Sequence, residues 1–154
     1  MRSKPSSAAS LYWTFAACAL LACDALCSQG AGFKLEVQLV WGTNDDRSPD
    51  PKHKPVEADV KAKLDELPLK FTNYFEVNRK GFEVTAPAVS KVPLSEKCEL
   101  EVRSLGGSKL EVSLFGRGKE VVKRTQTLGK GELLVVGGNA PNATAWLVVL
   151  KRIQ

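Results

Sequence analysis

Phe33-Lys34-Leu35-Glu36-Val37-Gln38-Leu39-Val40-Trp41 is the stretch whose reading decides the fold. Phe33, Leu35, Val37, Leu39 and Trp41 recur at every second residue, with Lys34, Glu36 and Gln38 between them. Side chains alternate between the two faces of an extended chain, so this pattern predicts a strand with one face buried. Gly42 ends the run. From Thr43 to Pro55 no apolar side chain other than proline occurs, which predicts a solvated loop.

Downstream of Pro68 the same kind of signal continues. Phe71–Val77 and Gly81–Thr85 are aromatic and β-branched and read as two strands around a turn at Asn78-Arg79-Lys80. Further strands are predicted over Cys98–Val102, Leu110–Leu114, Glu120–Gln126, Leu133–Val136 and Trp146–Leu150. Glycine-bearing turns at Gly106-Gly107, Gly116-Arg117-Gly118, Gly129-Lys130-Gly131 and Gly137-Gly138-Asn139 separate them, which predicts antiparallel meander pairing. Setting Leu100 and Val102 against Val112 and Leu114 demands a loop of odd length, because a one-residue slip would turn the apolar set outward. A three-residue Gly106-Gly107-Ser108 loop satisfies this and places Arg103 opposite Glu111. Leu133–Val136 and Trp146–Leu150 are continuous apolar runs, the pattern of central strands covered on both faces.

One segment has helical spacing. Val56, Val60, Leu64 and Leu67 recur at i, i+4 and i+3, with Pro55 at the entry and Pro68 at the exit, which predicts a helix over 56–67. At about three turns it is unstable alone and must dock on the sheet. The fold class is therefore α+β and mainly β: an antiparallel sheet, partly closed barrel or sandwich of seven or eight strands with one short helix.

The N-terminus reads differently. Arg2 and Lys4 precede Leu11–Cys23, a run without charge that is too short for a membrane-spanning helix of about twenty residues. This is the layout of a signal peptide over residues 1–30, followed by a single β-rich domain at 31–154 in an exported protein, periplasmic, extracellular or envelope-attached. Small residues permit cleavage before Ser28 or Ala31. Leu20-Leu21-Ala22-Cys23 also fits a bacterial lipobox, which would lipidate Cys23 and anchor the domain to a membrane. Of the four cysteines, Cys18, Cys23 and Cys27 lie in or beside this segment. Cys98 is left alone in the domain, without an internal disulfide. The chain carries a formal net charge of +5. No nucleic-acid-binding pattern accompanies that charge, so nucleic acid is not an expected partner.

Chemistry-bearing patterns are sparse. His53 is the single histidine, and the loop with Asp45, Asp46 and Asp50 lacks EF-hand spacing. No nucleophile-elbow, Ser-x-x-Lys or His-Glu-x-x-His signature occurs, and Gly137-Gly138 lacks the lysine of a phosphate loop. The expectation is a protein that is not an enzyme and holds no metal or cofactor. The densest basic stretch, 117–130, carries Arg117, Lys119, Lys123, Arg124 and Lys130 against Glu120. It is a candidate surface for a polyanion or glycan, or else a charged edge strand. Asn142-Ala143-Thr144 is a sequon for N-glycosylation.

Leu64-x-x-Leu67, Phe71-x-x-Tyr74-Phe75-x-Val77, Gly131-x-Leu133-x-Val135-x-Gly137-Gly138 and Trp146–Leu150 together form a pattern that resembles small exported proteins of the bacterial cell envelope. The last hairpin is also similar to that of outer-membrane secretin domains. The resemblance implies an accessory β-domain without transferable catalytic residues. The function expected from the chain is thus a non-catalytic secreted or envelope-associated domain that binds another envelope or secreted protein. The alternatives are polyanion or glycan binding through 117–130 and, third, a small hydrolase.

Overall fold

The computed structural model describes residues 32–140 and 143–154. The signal segment, the lipidation candidate Cys23 and the sequon asparagine Asn142 lie outside the described residues. Nine strands and one helix follow in order: β1 (Phe33–Thr43), β2 (Lys54–Pro55), α1 (Ala58–Asp65), β3 (Asn73–Val84), β4 (Val89–Ser95), β5 (Cys98–Ser104), β6 (Lys109–Gly116), β7 (Lys119–Thr127), β8 (Leu133–Ala140) and β9 (Thr144–Arg152). They form two antiparallel sheets, ordered β2-β3-β1-β9-β8 and β4-β5-β6-β7. The sheets do not close into a barrel; they stack as a sandwich.

The alternating strand is the spine of the larger sheet, with β3 on one side and β9 on the other. Phe33, Leu35, Val37 and Leu39 point into the intersheet core, where they join Val148 and Leu150 of β9, Leu100 and Val102 of β5, and Val112 and Leu114 of β6. A second apolar cluster lies on the opposite face of the same sheet. There Val40, Leu147 and Val149 pack under Val60 and Leu64, one helical turn apart on α1. The molecule therefore has three layers: helix, sheet, sheet.

Several expectations need correction. The two strands read around Asn78-Arg79-Lys80 are one continuous strand, β3, with its register shift opposite Leu39/Val40. These polar residues are held in the strand by partners. Asn78 Nδ2 donates to Leu94 O at 2.7 Å, Lys80 donates to Pro93 O, and Arg79 binds Glu36, Glu57 and Glu76. Strand β4 has no counterpart among the strands expected from the sequence, because Pro93 interrupts its pattern. It lies at a sheet edge with a register shift between Pro93 and Ser95, where proline is tolerated. The helix is shorter than 56–67. Lys54 and Pro55 pair with β3 and Val56 N donates to Tyr74 O, so the chain is still tied to the sheet there. Gly137-Gly138-Asn139 is not a turn; it continues β8. A Cβ on Gly137 would sit 2.4 Å from Trp146 O, so glycine here permits a close backbone approach. β8 is also an edge strand, whereas β9 is central as expected. The β5–β6 register is the one read from loop parity: Leu100 faces Leu114, Val102 faces Val112, and Arg103 faces Glu111.

Candidate functional site

The two ends of the sandwich differ. At the end where β1 begins and β9 finishes, Arg152 closes the gap between the sheets. Its guanidinium stacks 4.2 Å from the Phe33 ring centre and donates to Ser108 Oγ at 2.8 Å and Leu128 O at 3.0 Å. Leu128 is buried beneath it.

The opposite end stays open. A cavity of about 780 Å³ lies between the sheets there. The larger sheet supplies Leu39, Val77, Gly137, Gly138, Ala140 and Trp146, and the smaller sheet supplies Cys98, Leu114, Phe115, Gly116 and Val121. Its walls are almost wholly apolar. Two features of the sequence leave it unfilled. Along β8 the inward positions run Leu134, Val136, Gly138, so the third layer of side chains ends in a glycine. A Cβ added to Gly138 would meet nothing within 4 Å. Across the strand pair from Gly138, Trp146 is 45% exposed, and Val121 on β7 is 62% exposed. Large apolar groups left in solvent around a concave apolar wall mark a binding surface.

Charge is confined to the rim. The β4–β5 turn brings Glu96 and Lys97, and the β6–β7 turn brings Arg117. Arg117 N donates to Lys97 O at 2.8 Å, which holds the two turns side by side. Arg117 has φ 51° and Gly118 φ 77°, the conformation of a two-residue hairpin turn in which asparagine or glycine is the cheaper choice at the first position. Cys98 lies half-buried in the wall, and burial pushes its thiol up from its ordinary value. A thiol so shifted is held in the protonated, poorly nucleophilic form. No histidine lines the cavity.

The structure places the basic stretch along one edge rather than in one patch. Lys119, Lys123 and Arg124 lie on β7, the edge strand of the smaller sheet, with nine residues running from the open to the closed end. Lys123 forms an ion pair with Glu111 at 3.3 Å on the solvent face, whereas Arg124 falls in the row of Val112, on the other face. Lys130 lies beyond the strand at the closed end. Only Arg117 of the five reaches the cavity rim.

In the loop after β1, His53 Nδ1 lies 2.6 Å from Ser48 Oγ, and Asp45, Asp46 and Arg47 face Trp41 across a second, shallower hollow. Among the described residues, no group of three metal-ligating side chains comes together, and no helix is long and apolar enough to cross a membrane. The sequence reading missed the cavity. The signal available to it was a glycine at an inward strand position beside a tryptophan. Comparison with protein-family models, curated proteins and solved structures returned no match.

Proposed function

We propose that this chain is an exported, non-catalytic binding module, working in the envelope or outside the cell, whose site is the apolar cavity at the open end of the sandwich. The observation that carries this reading is the contrast between the two ends of one core. One is sealed by Arg152 over Phe33, and the other leaves about 780 Å³ of apolar-walled space bordered by exposed Trp146 and Val121. That volume is in the range of about 300–1,000 Å³ typical of small-ligand sites. Burying apolar surface there is favourable and non-directional, so binding needs no reactive group. A wall with a protonated thiol and no histidine supports binding over covalent chemistry.

Gly138→Leu tests this. The new side chain projects from an inward position into open space, so it occupies part of the cavity without a backbone clash. The wild-type protein is expected to enhance the fluorescence of the neutral apolar dye Nile red in a saturable way. The variant is expected to bind the dye more weakly, with an unchanged circular dichroism spectrum and an equal or higher melting temperature. Equal dye binding by a folded Gly138→Leu protein would overturn the assignment.

A further inference from the structure

We propose that the occupant of the cavity is a long-chain fatty acid, its hydrocarbon chain between the sheets and its carboxylate at Arg117 and Lys97. This rests on the reading of the open end as the binding site and adds the ligand class.

The polar and apolar parts of the cavity are separated in space. Leu39, Val77, Leu114, Phe115 and Trp146 offer no hydrogen-bonding side chain except the indole N–H. A buried peptide would need partners for an amide at every residue, and unmet amides are costly. A hydrocarbon chain carries no such requirement. The polar side chains gather instead on the two turns at the rim. There Lys97 and Arg117 stand together through the bond between their backbones, with Glu96 as the nearby acid. Among the described residues neither cation takes part in a salt bridge, so no carboxylate neutralises either of them at the rim. Two free cations at the mouth of an apolar cavity are complementary to a molecule with an apolar body and one anionic end.

The backbone of Arg117 adds an independent argument. A side chain other than glycine or asparagine at φ 51° in this hairpin is held at a conformational cost, and such costs persist where the side chain has work to do. Arg117→Asn would relieve the backbone and remove the charge, so stability and affinity should move in opposite directions.

The test uses the processed, exported protein with hexadecanoate, hexadecanol and hexadecyltrimethylammonium as probes. Binding is read by isothermal titration and by site-resolved thiol labelling of Cys98, which lines the wall. Hexadecanoate is expected to bind with one-to-one stoichiometry and to slow Cys98 labelling at least fivefold. The double variant Arg117→Asn/Lys97→Gln is expected to weaken hexadecanoate at least tenfold and leave hexadecanol within twofold, with a melting temperature no lower than wild type. Gly138→Leu should weaken both. If hexadecanol or the cationic amphiphile binds as tightly as hexadecanoate, or the double variant binds hexadecanoate unchanged, the fatty-acid assignment is overturned while the cavity remains a binding site. If none of the probes protects Cys98 and Nile red also fails to bind, both readings fall. Self-association of the wild type that is lost in Gly138→Leu, with no amphiphile binding, would assign the cavity to a second copy and likewise overturn the proposal.

Discussion

Lys151 on β9 donates to the Asp59 carboxylate in the first turn of α1, linking helix to sheet across 92 residues of chain. The same bond holds the Asp59 carboxyl below its ordinary value and the Lys151 ammonium above its own. A carboxylate with a lowered folded-state pKa contributes stability that is complete above its unfolded value of 3.8 and lost as pH falls through the lower folded value. A lysine with a raised pKa contributes below 10.5 and loses that contribution as pH climbs through the higher folded value. Asp59→Asn should therefore lower stability between about pH 5 and pH 10, by less than about 1 kcal/mol because both groups are partly exposed. The difference between wild type and variant should shrink as pH falls below 3.8 and vanish once it is below the lowered folded value. Urea titrations at pH 3 and pH 7 check this, and an equal difference at both would refute it. Beside this pair, Arg79 is anchored by Glu76 first and by Glu57 and Glu36 in addition, which raises its guanidinium further above an already high value. That anchoring explains why a triplet that reads as a turn, Asn78-Arg79-Lys80, stays in strand.

At the scale of elements, α1 is held by its buried face rather than by its ends. Val60 and Leu64 are fully buried, whereas Glu57 at the N-terminus makes no side-chain capping bond. Leu64→Ala should cost about 2–5 kcal/mol, in the range for a buried leucine truncated to alanine, and should strip amide-exchange protection from α1 before β1 or β9. Loss of protection spread evenly over all elements would contradict this. The elements were legible where one face is apolar and the other polar: β1 by alternation, α1 by its 3.6-residue spacing, and the β5–β6 register by the parity of its loop. Edge elements were not. Pro93 hid β4 because an edge strand needs fewer donors than a central one, and the unbroken run Leu133–Val136 suggested a central strand where β8 is an edge covered on both faces. β7 carries its charge at the edge that another sheet could otherwise extend.

The whole molecule is a sandwich with one end stitched shut and the other held open, and this asymmetry was not legible in the sequence. Alternation tells which face of a strand is buried but not what stands opposite it, so inward Gly138 reads as part of a turn, and the central-strand reading of Trp146, though correct, gives no sign of its exposure. Only the pairing of Gly138 with Trp146, and of the Lys97 turn with the Arg117 turn, brings apolar wall and cationic rim to one end. Of the residues singled out for binding on sequence grounds, Arg117 alone stands there. Photolabelling with a diazirine-bearing hexadecanoate, followed by mapping of the modified peptides, tests this account most directly. Saturable adducts on Leu39, Val77, Phe115 or Trp146, competed away by unlabelled hexadecanoate, are the predicted result. Adducts confined to α1, to the solvent face of β5–β7 or to the closed end around Phe33, or none that saturate, would contradict it.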